Sequence, residues 1–294
     1  MAMAATETLP IEASASPGYW QSVGRRLVRD PVAMGALAVL VIIVLAAVLA
    51  PWVAPADPYK ATMVRRLRPI GYPGYPLGSD ELGRDMLSRL IYGGRLSLFM
   101  GVVPVLLAFV IGSSIGIFAG YVGGRINTVV MRTIDVFFAF PSVLLAIALS
   151  GVLGAGIINS IVSLTVVFVP QIARVAESVT TQVRSRDYVE AARASGANAL
   201  AVVRVHVLGN VLGPIFVYAT SLISVSMILA SGLSFLGLGV KPPEPEWGLM
   251  LNTLRTAIYS QPLVAALPGL MIFLTSISFN LFSDGLRTAM EVKQ

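Results

Sequence analysis

Five long stretches of the chain carry no Asp, Glu, Lys or Arg: between Asp30 and Asp57, Arg95 and Arg125, Asp135 and Arg174, Arg204 and Lys241, and Arg255 and Asp284. A helix crosses a hydrocarbon core of about 30 Å with roughly 20 apolar residues, so each stretch is long enough for a span. The third holds 38 residues, which as one straight helix would reach about 57 Å. The cluster Gly151, Gly154, Gly156 and Asn159 offers a turn near its middle, so it divides into a hairpin. In the fourth, His206, Asn210, Gly213 and Pro214 suit an approach segment followed by one span. The pattern predicts an all-α polytopic protein of six transmembrane helices, near 33–53, 97–119, 136–153, 157–176, 214–236 and 263–283.

Basic residues flanking short loops stay on the cytoplasmic side. Arg25, Arg26 and Arg29 precede the first span, which puts the N-terminus inside. Alternation then places inside Arg125 and Arg132, the loop with Arg184, Arg186, Arg193 and Arg204, and the tail with Arg287 and Lys293. One loop opposes this: 54–96 falls outside yet carries Lys60, Arg65, Arg66, Arg68, Arg84, Arg89 and Arg95. Residues 1–24 read as a disordered cytoplasmic leader. A cleaved signal peptide does not fit, because the apolar run is too long and starts too late.

Composition agrees with the spans. Of 294 residues 56% are hydrophobic and 12% charged, against about 45–50% and 25% in soluble domains. Mean hydropathy is +0.81. The absence of cysteine excludes disulfides, thiolate metal sites and a cysteine nucleophile, and one histidine cannot build a His-rich metal site. The net charge of +6 is accounted for by cytoplasmic Lys and Arg, with no call for nucleic acid.

Gly112-Ser113-Ser114-Ile115-Gly116 has the spacing of a hydrolase nucleophile elbow, but that motif needs a strand-to-helix turn and a His–acid pair. Mid-span, Gly112, Gly116 and Gly120 instead make a small-residue face for close helix packing. The chain has no Gly-Lys-Ser or Gly-Lys-Thr phosphate loop. Its uncharged stretches offer no ionisable relay of the kind ion-coupled carriers use. Energy for transport must then reach it from another protein, through an exposed surface. The inside loop 177–213 is the candidate. Asp187 to Ala194 reads as a helix, Ser195 to Asn198 breaks it with Gly196 suited to a left-handed helix end, and Ala199 to Leu208 resumes helix before Gly209.

At this loop Glu190-Ala191-Ala192, Gly196 and then His206-Val207-Leu208 resemble the EAA loop of ABC-importer permeases. Four further blocks match the shorter permease type of the dipeptide/oligopeptide/nickel branch. They are Pro76 to Asp85 running on to Arg95, Ala119 to Gly124 with Met131-Arg132 and Asp135, Ser234 to Val240 running on to Trp247-Gly248, and Phe279-Asn280 with Asp284 to Arg287. The likeness covers about residues 20–288. Gly209 stands where the family commonly has proline, Ser283 where it has glycine, and Thr288 where it has aspartate.

The resemblance implies an N-terminal helix (region 25–92) before a five-helix type I core (93–284) and a cytoplasmic tail (285–294). It also implies a multi-pass inner-membrane subunit that is no enzyme and holds no cofactor, ATP being bound by two partner ATPase subunits. A homologous second permease would complete the translocation pathway in the bilayer, and a solute-binding protein would deliver dipeptides or oligopeptides from outside. Asp187, Glu190, Ala191, Ala192, Arg193 and Gly196 are the expected ATPase-coupling residues. Lys241 to Trp247 is expected to form a stiff outer loop, with Glu244, Glu246 and Trp247 at the gate or against the binding protein. A non-ABC carrier or channel, or an assembly protein that transports nothing, is the alternative.

Overall fold

The computed structural model describes residues 18–291. The described chain is helical apart from its loops and two isolated β-bridges. It opens with α1 (Tyr19–Val28), so residues 19–24 of the expected leader are helix, and its residues 1–17 lie outside the described chain. Amphipathic packing explains the helix: Val23 and Leu27 lie against Val217, Leu286 and Ala289.

The first span is α2 (Pro31–Val48), extended by the short α3 (Ala50–Val53). Pro31 suits the first helical turn, and the Asp30 carboxylate accepts the N–H groups of Val32 and Ala33 at 2.9 and 3.1 Å. After an ordered loop, α4 (Met86–Val122) runs for 37 residues, about 55 Å. Asp85 caps it through Ser88 N–H at 2.7 Å, and Gly123, with φ 69°, ends it.

The third span is not the single helix expected at 136–153. It is a pair, α5 (Gly124–Phe138) and α6 (Ser142–Leu153), bent by 86°. Pro141 disfavours helix at Phe140, which breaks the run between Phe138 and Ser142. The described chain thus has five helices long and apolar enough to cross a membrane, and a sixth crossing if the bent pair counts as one. The turn after α6 falls on Gly154, with φ 87°, where the Asn159 side-chain amide donates to Leu153 and Gly154 carbonyls at 2.8 and 3.0 Å.

The inside loop expected over 177–213 is mostly helix. The fourth span, α7, continues from Ile157 to Arg184. Then come α8 (Asp187–Ala194) and α9 (Ala199–Val202), a π turn over Val203–Val207, and α10 (Leu208–Phe235). From Ala199 to Phe235 the helix is unbroken, so the second arm of the hairpin is the extension of the fifth span. The π turn lies at the approach to Gly209 and Pro214. At the opposite end α11 (Trp247–Thr253) and a 3₁₀ turn lead to α12 (Pro262–Met290), which carries most of the expected tail as helix.

The centre of the bundle is α4 against α7, with α10 beside both, α12 beyond α10, and α2 closing over α12 and α4. Gly112, Gly116 and Gly120 make that centre possible. A Cβ at Gly112 or Gly120 would stand 2.8 Å from the carbonyl oxygens of Val169 or Glu177, and at Gly116 it would overlap the carbonyl of Ala173. The two helices run side by side in the same direction, backbone to backbone.

Candidate functional site

The hairpin over residues 185–208 projects from one end of the bundle. Its footing is apolar: Val189, Val202 and Val207 are each fully buried, and they fix α8 and α9 to the bundle. The outward face is the opposite one. Asp187, Glu190, Ala191, Arg193 and Gly196 are exposed and Ala192 is half-buried. Tyr188 on α8 is 44% exposed and Leu200 on α9 is 77% exposed.

Gly196 shapes the turn. Its φ is +83°, and the turn closes through Gly196 N–H to Arg193 O at 3.0 Å and Ala197 N–H to Ala192 O at 3.1 Å. An added Cβ would meet nothing within 4 Å, so the requirement for glycine here is conformational within this chain. Asn198 accepts Ala201 N–H at 2.8 Å and restarts the helix. The Arg193 guanidinium lies 5.0 Å above the Tyr121 ring, and Arg184 donates to the carbonyls of Gly120 and Tyr121 at 3.3 and 3.2 Å. The Arg193 contact ties the hairpin, and the Arg184 bonds the end of α7, to the end of α4.

On the same end, α10 and α12 enclose a cavity of about 500 Å³ lined by Tyr218, Ser221, Ser283, Asp284 and Arg287 among others. Ser283, absent from the expected pattern, has a role there. It donates to Val217 O at 3.2 Å and meets Thr220 Oγ1 at 3.0 Å, joining α12 to α10. Between α5 and α7, Arg174 pairs with Asp135, while Glu177 accepts from Asn127 at 2.6 Å.

At the opposite end two of the residues expected at the gate or against the binding protein lie inside the bundle. Trp247 is fully buried and Glu246 is 1% exposed, so neither presents a surface to another protein. Trp247 lies against Gly93 and Gly94 and donates its indole N–H to Leu90 O at 2.9 Å. Glu246 accepts the N–H groups of Gly248 and Leu249 at 2.9 and 2.8 Å and the Ser97 hydroxyl at 3.1 Å. Burial pushes its carboxyl up from the usual range, against these donors, which favour the anion. Of the three residues only Glu244 reaches solvent. It accepts the Tyr59 hydroxyl at 2.8 Å. Burial, then the Glu244 carboxylate, push the Tyr59 phenol up to about 12, so it stays a proton donor.

Sequence reasoning missed the core of the outer loop. Asp80 pairs with Arg84 at 2.6 Å and with Arg89 at 3.1 Å, and Arg84 reaches Glu81 at 2.7 Å. Arg89 also donates to Pro58 O at 3.1 Å, binding the loop to α4. The signal was present in the interleaved acids and bases of Asp80 to Arg89. Among the described residues no three His, Asp or Glu side chains converge as a metal site.

The chain matches two family descriptions, "Binding-protein-dependent transport system inner membrane component" over residues 112–293 and "N-terminal TM domain of oligopeptide transport permease C" over 18–69. It is 41% identical over 280 residues to the Di/tripeptide transport system permease protein DppC of Pseudomonas aeruginosa, covering 94% of this chain and 91% of that one. To the Glutathione transport system permease protein GsiD of Pectobacterium atrosepticum it is 39% identical over 274 residues, covering 93% and 91%. Among solved structures, the MetNI methionine ABC transporter in an inward-facing form superposes with a TM-score of 0.55 at 21% identity, covering 69% of this chain and 97% of that one, which shows a shared core fold. The chain therefore belongs to the binding-protein-dependent transport system inner membrane components, and is a multi-pass permease of an ABC importer.

Proposed function

We propose that the chain forms half of a translocation pathway for dipeptides or oligopeptides and is driven through its 187–208 hairpin by an ATPase subunit. A homologous second permease completes the pathway, two ATP-binding subunits dock at the hairpin end on the cytoplasmic side, and a solute-binding protein delivers cargo at the other end. The observation that carries the coupling is the exposed face of α8. The Glu190 side chain makes no hydrogen bond or ion pair among the described residues, and it is exposed on a helix whose Val189 is fully buried. A carboxylate left free in this setting is available to a basic group on a docked partner, and a charge-assisted bond is worth about 1.5–3 kcal/mol.

Small peptides as cargo are supported by the relatives, whose names specify di/tripeptides and glutathione. The cavity between α10 and α12 offers both charge signs, through Arg287, Asp284 and Glu291, which suits a zwitterion. ATP binding is assigned to the partners because the sequence contains no phosphate-cradling loop. The test is ATP-dependent uptake of labelled dialanine and of glutathione by proteoliposomes holding the complete transporter and its binding protein. Uptake of either supports a peptide importer. Binding-protein-stimulated ATP hydrolysis without uptake of any peptide would retain the importer and overturn the cargo.

A further inference from the structure

The outer loop sorts its charges by burial. Between residues 54 and 85 Asp80, Arg84 and Asp85 are buried while Lys60, Arg65 and Arg66 are exposed. Asp57, the one fully exposed acid of the segment, is engaged at Tyr59 N–H at 2.8 Å. With Asp80 and Asp85 buried and Glu81 paired to Arg84, the exposed charges are three bases, Lys60, Arg65 and Arg66, and one acid, Asp57. Between those bases stand Met63 and Val64, 60% and 83% exposed.

This surface is built on a firm support. Met63–Arg65 form a 3₁₀ turn, held by Thr62 N–H to Leu82 O and Leu67 N–H to Asp80 O, both at 3.1 Å. Leu67 keeps a positive φ of 50°, a conformation that strains a leucine and persists only where the surroundings impose it. The Arg65 guanidinium lies 5.6 Å from the Tyr75 ring centre. Beneath lies the Asp80, Arg84 and Arg89 clamp. Basic segments that attract lipid headgroups work by charge alone and need no such fold. An apolar centre with a charged rim, fixed in shape, is the anatomy of a protein interface.

We propose that Lys60, Arg65 and Arg66, around Met63 and Val64, form the surface on which an acidic face of the solute-binding protein docks. The proposal rests on the functional reading above and moves the docking site away from Glu246 and Trp247, which are buried. It also gives a reason for basic residues on the outer side, where the inside bias of Lys and Arg would not put them. Basic charge there attracts the partner during encounter and weakens with salt.

The test uses the complete transporter in nanodiscs with its own solute-binding protein, whose apparent affinity is read from stimulated ATP hydrolysis. Arg65→Glu with Arg66→Glu should weaken that affinity by about tenfold or more at low salt, with an unchanged unfolding temperature. A photoreactive benzophenone side chain introduced at Val64 should cross-link the same binding protein in intact cells. Unchanged affinity in the double variant, or adducts only with phospholipid, would overturn the proposal while leaving the importer intact. A wild-type complex that no binding protein stimulates would instead bring down the functional reading and this inference with it.

Discussion

The indole N–H of Trp247 donates to the carbonyl oxygen of Leu90 at 2.9 Å, across 157 residues of sequence. This bond joins the segment entering α11 to the first turns of α4, with the ring seated on Gly93 and Gly94. Trp247 thereby anchors the outer end of the bundle. Trp247→Phe should remove a buried hydrogen bond and lower stability by about 1 kcal/mol. Gly93→Leu should be worse, since a Cβ there already stands 3.1 Å from the indole and overpacking costs about 1–3 kcal/mol. Unfolding temperatures in detergent check the order of the two.

Glu246 predicts a pH dependence. Burial raises its carboxyl in the folded chain, so the folded state keeps the proton where the unfolded state releases it. Its stabilising contribution is complete below the unfolded carboxyl range, near about 4.3, and is lost as pH rises through the raised folded value. Thermal unfolding of the wild type should move to lower temperature as pH rises above the unfolded carboxyl range, and Glu246→Gln should flatten that dependence. An identical slope in both proteins would assign the effect to another group.

The contact between α4 and α7 predicts intolerance of side chains at Gly116. A Cβ there overlaps the Ala173 carbonyl and lies 2.6 Å from the Ala176 Cβ, and backbone cannot step aside as a side-chain tip does. Gly116→Leu should destabilise by about 3 kcal/mol or more, seen as loss of monodisperse protein after extraction. Gly151→Leu, where an added Cβ meets nothing within 4 Å, should leave extraction unchanged.

Ser283 offers a milder test. Ser283→Gly restores the expected residue but removes the hydroxyl that bonds Val217 O and Thr220 Oγ1. A loss of about 1 kcal/mol follows, measurable as a lower unfolding temperature with transport activity retained.

Spans and the turn at Gly154 were legible because apolar runs and glycine punctuation are local signals. The break at Pro141 was equally local. It was overlooked because uninterrupted hydrophobicity from Val136 onward reads as one helix, whereas a missing proline N–H and a crowded Phe140 act against that reading. The length of α7 was hidden for the opposite reason. Glu177, Thr181, Gln182 and Arg184 make its end polar, and polarity suggests loop, although helix needs no bilayer to persist. The family blocks pointed to the right segments of the outer end, but not to which side chains face inward. Burial of Glu246 and exposure of Val64 invert what hydropathy alone assigns, because Ser97 and the Gly248 and Leu249 N–H groups satisfy the carboxylate while the Asp80 clamp occupies the space beneath the 3₁₀ turn.

The 187–208 hairpin is the segment proposed to transmit ATP hydrolysis to the pathway. The most direct measurement is binding-protein-stimulated ATP hydrolysis and peptide uptake by the reconstituted transporter carrying Gly196→Val or Glu190→Lys. Gly196→Val strains a φ of +83° by about 1–2 kcal/mol, and Glu190→Lys reverses an exposed charge that no group within the described chain engages. The account predicts that both variants insert and fold as wild type but lose most of the stimulated hydrolysis and uptake, and that the ATPase co-purifies less with Glu190→Lys. Variants equal to wild type in hydrolysis, uptake and co-purification would contradict it.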